Sequence, residues 1–275
     1  MKPGEGHVWR FLNTGASDAG SNMATDEALA RKPLALPTLR VYCWQPYTIS
    51  IGYNQKVEDV DLQKCRDDGI EVVRRPTGGR AIFHAHEVTY SVIIPRNSAW
   101  YRESSLELYN EISSALVLGL QCLGLPVQLQ RVAGGEAAAF SDYRNRFACF
   151  ATSAKYEIHC EGKKLVGSAQ RRFDNSLLQH GSIILGREHL RLLNYLVDAR
   201  NGAATVAKQQ LEDRTVCVET LLNRKVDYGE VAEKIKLGFE SHFKIKMKVD
   251  RLSDQEQNGI LQLKPKYHQL RRNLP

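Results

Sequence analysis

CFATSAKYEIHCEGKKLVGSAQRRFDNSLLQHGSIIL, running from Cys149 to Leu185, is the stretch that decides the fold. From Tyr156 to Cys160 and from Lys164 to Ala169 short, partly β-branched residues alternate. Glu161 and Gly162 stand between them as a turn would, so the spacing predicts a β-hairpin. Lys164 begins the return strand, and Cys149 lies upstream of the first. Leu177 to Leu185, which holds Gln179, His180 and Gly181, predicts a further strand. With a tight turn at Glu161-Gly162, Lys164 pairs near His159. Cys149 precedes His159 by ten residues, and a straight strand of that length would separate Cys149 from Lys164 by about 33 Å. Bringing the two together requires a bend over Phe150 to Ser153.

Upstream, Val132 to Phe147 is polar and rich in Gly and Ala, with Gly134-Gly135, and predicts a mobile loop leading to Cys149; loops of that length beside a site are often lids. Before it, Ser104 and Glu107 have capping-box spacing, and Leu106, Tyr109, Ile112, Leu116, Leu120 and Leu123 repeat at helical intervals. Gly124 and Pro126 end that helix. Val88, Tyr90, Val92 and Ile94 predict a buried strand ending at Pro95. Ile70 to Val73 predicts another strand, running into Arg74-Arg75-Pro76-Thr77-Gly78-Gly79-Arg80. Paired glycines there let the backbone approach a ligand and aim N–H groups at an anion or carbonyl, with arginines adding charge. A tight hairpin turn explains the same residues. The loop matches neither GxxxxGK[ST] nor GxGxxG.

His84 and His86, two apart on an expected strand, point the same way. No third ligand stands at a suggestive spacing, and no second histidine follows Glu87 as a zinc protease motif needs, so no metal site is expected. Nearer the N-terminus, Ser21 to Ala30 predicts a helix capped by Ser21 or Asn22, with Asp26 and Glu27 in its first turns, where the helix dipole favours acid. Leu39-Val41-Cys43 and Ile49-Ile51-Tyr53 predict strands on either side of a turn at Gln45-Pro46-Tyr47. Asp59 to Asp68 reads as a short polar helix. Towards the C-terminus, amphipathic helices are expected near Glu188 to Val197 and Gly229 to Phe243, followed by a lysine-protected edge strand from Lys244 to Val249.

Of 275 residues, 43% are hydrophobic and 25% charged, ordinary values for a soluble globular chain. No apolar run approaches the roughly 20 residues of a membrane span, and the first residues lack a signal-peptide core. The expectation is a cytoplasmic protein without membrane partners. Six cysteines form no CxxC pair, which argues against a disulfide framework or zinc knuckle. A net charge of +7 favours an acidic partner. Basic and aromatic residues are not interleaved as in RNA-binding modules, so nucleic acid is not expected. No internal repeat or low-complexity linker divides the chain. The expected fold class is therefore α+β, a mixed or antiparallel sheet packed with helices. It forms a single catalytic domain over 1–275, with a core of about 9–249 and a basic C-terminal tail at 250–275, to which no role is assigned. The residues by themselves leave Cys149 as either a buried small side chain or a nucleophile, with Cys160 an equal candidate.

Three segments carry a resemblance: NMATDEAL from Asn22 to Leu29, RRPTGGRAIFH from Arg74 to His84, and the pattern CF, YE, GKKLVGSAQRR and LQHGSIIL between Cys149 and Leu185. Together they resemble the lipoate and octanoate attachment family, whose catalytic domain is similar to that of biotin protein ligases. The cysteine-dependent octanoyltransferases within it are the nearest match. The resemblance implies that octanoyl passes from acyl carrier protein through a thioester on Cys149, assisted by Lys164, to a lysine of a lipoyl-domain protein. That acceptor would be the glycine cleavage H protein or a 2-oxoacid dehydrogenase acyltransferase subunit. Arg75, Gly78, Gly79, His84, Gly167, Ser168, His180 and Gly181 would bind the acyl group. No cofactor or metal is implied. ATP enters only under the alternative of an ATP-dependent lipoate ligase, in which Cys149 is incidental; a second alternative is an amidotransferase acting between lipoyl proteins.

Overall fold

The computed structural model describes residues 7–131, 156–197 and 203–268. Its strands are β1 (Val8–Ser17), β2 (Thr38–Trp44), β3 (Thr48–Ile51), β4 (Glu71–Arg74), β5 (Ile82–His84), β6 (Glu87–Pro95), β7 (Gln128–Arg131), β8 (Tyr156–Cys160), β9 (Lys163–Arg172), β10 (Ser176–Ile184) and β11 (Lys246–Val249). The α-helices are α1 (Ala19–Arg31), α2 (Leu62–Asp67), α3 (Ser105–Cys122), α4 (Ala203–Arg214), α5 (Val218–Leu222), α6 (Tyr228–Phe243) and α7 (Asp254–Tyr267). The expected loop at 132–147, Cys149 and the bend at 150–153 lie outside the described residues.

The hairpin forms as its turn residues dictate. Glu161 and Gly162 take φ values of 51° and 77°, the two left-handed positions of a two-residue hairpin turn. His159 then pairs with Lys164. From this hairpin an eight-stranded sheet extends in the order β11-β1-β2-β6-β10-β9-β8-β7. It is antiparallel from β2 to β7 and parallel where β1 meets β2 and β11. A smaller sheet, β4-β3-β5, stands apart from it.

Period-two alternation sorts the side chains of the large sheet between its faces. Val88, Tyr90, Val92 and Ile94 of β6 enter one apolar cluster with Leu108, Ile112, Leu116 and Leu120 of α3 and Val231, Ile235, Phe239 and Phe243 of α6. Each such side chain contributes roughly 1.5–3 kcal/mol on burial, so this face is the main stabilising layer. Trp9 joins it from β1, its ring centroid 4.6 Å from that of Phe243. The opposite face carries α1 and the small sheet, and most of the buried polar groups lie there. Ser104 caps α3 by accepting from Glu107 N at 3.2 Å, as the spacing predicts. The lysine-bearing strand β11 lies at the sheet edge.

Several local expectations are corrected. Helix α1 is capped by Asp18, not Ser21 or Asn22: the Asp18 carboxylate accepts from Ser21 N at 2.9 Å and Ser21 Oγ at 2.7 Å, so Ser21 is the partner of the cap. The helix therefore starts earlier, and Asp26 and Glu27 fall in its middle, fully buried. The Asp59 to Asp68 stretch splits into a 3-10 turn at Val57–Asp59 and α2, capped by Asp61. Arg187–Tyr195 is a 3-10 helix. His84 ends β5, whereas His86 lies in the following turn, 3.8 Å from Glu219, so the two histidines do not share a strand face.

Strands β1 and β7 and helices α4, α5 and α7 have no counterpart in the sequence expectations. Helix α7 is a capped element: Ser253 and Glu256 form a reciprocal capping box. Lys264 reaches Asp18 at 2.9 Å, and Lys266 and the Tyr267 hydroxyl both donate to Glu27, binding α7 along α1. No helix among the described residues is long and apolar enough to cross a membrane.

Candidate active site

Between α1, the small sheet and the polar face of the large sheet lies a narrow, partly open cavity. Arg75, His84, Gly167, Ser168, His180 and Gly181 line it, together with Met23, Trp44, Ser50, Ile82, Thr89 and Ser182. The structure thus gathers motif residues that the sequence holds far apart. Two close approaches explain glycines here. A Cβ on Gly181 would stand 2.4 Å from Gly167 O and 2.7 Å from Tyr90 Cε1, and one on Gly52 would stand 1.8 Å from Gly79 O. Neither position accepts a larger residue without moving backbone.

The arginines of the RRPTGG loop turn inward. Arg75 donates to Gly78 O (2.7 Å), Arg80 O (2.8 Å) and Ser50 O and Oγ (both 3.1 Å). Arg74 donates to the carbonyls of Gly52, Tyr53 and Gln55. Both guanidinium groups brace loop carbonyls, and Arg75 also lines the cavity. Gly78 and Gly79 are exposed at the loop tip, with Gly79 at φ 92°; neither is among the residues lining the cavity.

Two hydroxyl–histidine–carboxylate chains meet at the cavity wall. In the first, Ser50 Oγ lies 2.7 Å from His84 Nε2, and His84 Nδ1 lies 2.7 Å from Glu87 Oε1. Glu87 also accepts from Thr89 and Ser182, both at 2.5 Å. Trp44 stacks on His84 with centroids 4.2 Å apart and donates to Thr89 Oγ1 at 2.7 Å. In the second, Thr77 Oγ1 lies 2.6 Å from His180 Nε2, and His180 Nδ1 lies 3.0 Å from Asp26 Oδ2. Asp26 also accepts from Arg40 Nη1 at 2.7 Å and Tyr42 OH at 2.8 Å.

Burial acts against the Asp26 charge, yet Arg40 first, then His180 and Tyr42, hold its pKa below the ordinary carboxylate range. Burial likewise pushes His180 down against the pull of Asp26, favouring the neutral ring. Behind this wall Tyr90 OH lies 2.7 Å from Ser168 Oγ and accepts from Gln179 at 3.0 Å; burial pushes its pKa up to about 12.

Lys164 reaches the polar face through a β-bulge. Ile158 pairs with Val166 and His159 with Lys164, so β9 carries one extra residue. Leu165 and Val166 both enter the apolar cluster under α3. Alternation restarts beyond them, and Lys164 falls on the opposite face with Glu157 and His159. Its Nζ donates to Glu157 Oε1 at 2.5 Å, and both residues are buried. Gly167 is three residues further along the same strand, roughly 10 Å at strand spacing.

Asp26, Ser50, Thr77, Glu87 and Glu157 are polar residues of the site that the sequence reading did not assign to it. The available signal was the charge itself: Asp26-Glu27 and Glu87 interrupt otherwise small or apolar runs, and a buried acid demands partners.

Comparison with known proteins fits this architecture. The family described as lipoyl protein ligase A/B catalytic domain matches residues 18–240. A protein named Octanoyltransferase LipM from Moorella thermoacetica is 36% identical over 264 residues, covering 94% of this chain and 95% of its own. The protein of the same name from Lysinibacillus sphaericus is 34% identical over 263 residues, with the same coverage. Among solved structures, the bipartite lipoate protein ligase system of Thermoplasma acidophilum superposes with a TM-score of 0.78 at 21% identity, covering 94% of this chain and 93% of that one. A lipoate-protein ligase A bound with ATP gives a TM-score of 0.76 at 22% identity, covering 94% and 95%. At such identities the solved structures establish the shared α+β fold and nothing finer. The extent of the family match and the identity to the two relatives lead to one conclusion: the chain belongs to the lipoyl protein ligase A/B catalytic domain family.

Proposed function

We propose that this chain is an octanoyltransferase that moves an octanoyl group from acyl carrier protein to a lysine of a lipoyl-domain protein in the cytoplasm. The observation that carries the reading is the coverage of nearly the whole length of both chains by relatives named octanoyltransferase, at 34–36% identity. Cys149 is the proposed nucleophile. A free thiol with a pKa of about 8.5 is only a few per cent thiolate at neutral pH, and a lysine ammonium nearby raises that fraction. Lys164 takes this part.

The Cys149 thiolate attacks the carrier thioester carbonyl, the carrier thiolate leaves, and a proton from solvent returns it to the thiol. One thioester replaces another at about equal energy. The neutral amine of the acceptor lysine then attacks the enzyme thioester, an amide forms, and the amine proton goes with the departing sulfur. The sum is carrier thioester plus amine giving carrier thiol plus amide, with neither ATP nor metal consumed. Met23, Trp44 and Ile82 give the cavity an apolar lining suited to an acyl tail, at roughly 0.8 kcal/mol per buried methylene. In this scheme Arg75, His84, Gly167, Ser168, His180 and Gly181 bound the acyl slot. Gly78 and Gly79 supply N–H groups to the developing oxyanion, a role typically worth about 3 kcal/mol per donor.

Incubation with octanoyl-carrier protein should add a hydroxylamine-sensitive octanoyl mass to the Cys149 peptide, and Cys149→Ser should abolish transfer to an acceptor lipoyl domain. If Cys149→Ser still modifies the acceptor when given ATP and free lipoate, a ligase replaces this reading. If neither protein acylates anything, octanoyl transfer is the wrong activity.

A further inference from the structure

The second hydroxyl–histidine–carboxylate chain has a fixed direction. The Asp26 carboxylate is wholly buried, with Oδ1 on Arg40 and Oδ2 shared by Tyr42 and His180. Arg40 is itself anchored: it donates to Asn22 O (3.1 Å), Asn22 Oδ1 (2.8 Å) and Thr14 Oγ1 (3.0 Å) and lies 3.8 Å over the Tyr42 ring. An acid so compensated stays ionised and only accepts. His180 therefore donates through Nδ1, and in the neutral ring that burial favours, Nε2 keeps its lone pair and the Thr77 hydroxyl donates to it. The chain runs Thr77 to His180 to Asp26, from the RRPTGG loop across the cavity wall into α1, joining positions 103 and then 154 residues apart.

The loop has other ties: Arg171 donates to Pro76 O at 2.8 Å, and Tyr53 N donates to Thr77 O at 2.9 Å. Neither of these depends on Asp26. We propose that Asp26 is a positioning residue of the acyl-transfer site: by fixing the tautomer of His180 it commits the Thr77 proton and, alongside the Arg75 contacts to Gly78 O and Arg80 O, holds the loop that carries Gly78 and Gly79. The inference rests on the transfer reaction proposed above for its kinetic consequence, but not for the tautomer itself.

Asp26→Asn tests it with little change of shape. The amide oxygen can stay on Arg40 while its NH₂ faces His180, which forces the ring to accept at Nδ1 and to carry its proton on Nε2. Long-range ¹H–¹⁵N correlation of imidazole-labelled protein should show His180 protonated at Nδ1 in the wild type and at Nε2 in Asp26→Asn. Thr77→Val removes the hydroxyl without touching Asp26, and octanoyl transfer should fall about tenfold in kcat with KM within about twofold, the size of one lost hydrogen bond. Thr77→Ser should restore the rate. An unchanged tautomer in Asp26→Asn overturns the inference. So does Thr77→Val with wild-type kcat, or with only KM altered, since the hydroxyl is then plain cavity wall. If the wild type transfers no octanoyl group, the functional reading fails, while the tautomer measurement still decides the direction of the chain.

Discussion

Gly52→Ala separates loop geometry from fold stability. The added methyl would stand 1.8 Å from Gly79 O, 2.8 Å from Gly79 C and 3.3 Å from Gly78 C, all backbone, so no side chain can swing aside. Restoring ordinary contact near 3.4 Å displaces the loop tip by about 1.6 Å. The tip is exposed and moves outward into solvent without losing buried apolar area. What it loses is the grip of Arg75 on Gly78 O, made at 3.1 Å through Nε and 2.7 Å through Nη2. A hydrogen bond to a charged group contributes about 1.5–3 kcal/mol, which for a chain of this size corresponds to a melting shift of roughly 3–5 °C. The catalytic effect should be much larger, because misplacement by about 1 Å costs on the order of a hundredfold. Differential scanning fluorimetry and steady-state octanoyl transfer on one preparation would check both. Gly78→Ala is the control: a Cβ there meets nothing within 4 Å, and stability should not change. Wild-type turnover in Gly52→Ala would refute the argument that the loop tip takes part in the reaction.

Two further outcomes follow from the buried polar groups. Arg40→Met leaves Asp26 buried without its principal counter-charge, which should destabilise the fold by about 3–5 kcal/mol; a melting temperature within a few degrees of wild type would count against the Arg40–Asp26 pair as a structural element. Burial holds the pKa of His189 down at about 4, so the unfolded chain binds the extra proton first as pH falls. Its contribution is complete above the ordinary histidine value of about 6.5 and is lost between there and about 4. Thermal melts from pH 7.5 to 4.5 should show stability dropping below about 6.5, less steeply in His189→Gln; parallel profiles for the two proteins would remove His189 as a cause.

Features set by neighbours in the chain were legible in the sequence. Glu161-Gly162 makes the hairpin because two adjacent residues must take left-handed backbone angles, and that choice needs no distant partner. The cap at Ser104, the stop at Gly124 and the alternation of β6 are equally local. The three motifs also pointed to the family, and the structure brings residues of all three to one cavity.

Tertiary structure decided the rest. Asp26 and Glu27 read as acids placed for the helix dipole, yet both are buried, because Arg40, Tyr42 and His180 meet one while Lys266 and Tyr267 meet the other. Those partners lie up to 240 residues away in sequence. The extra residue at Leu165 turns Lys164 to the cavity side, and only the register of β8 against β9 reveals it. The physical reason is common to these cases: a charged side chain is stable in the interior only where remote elements supply its counter-charge and hydrogen bonds, and a pattern read along one segment carries no information about which elements will arrive.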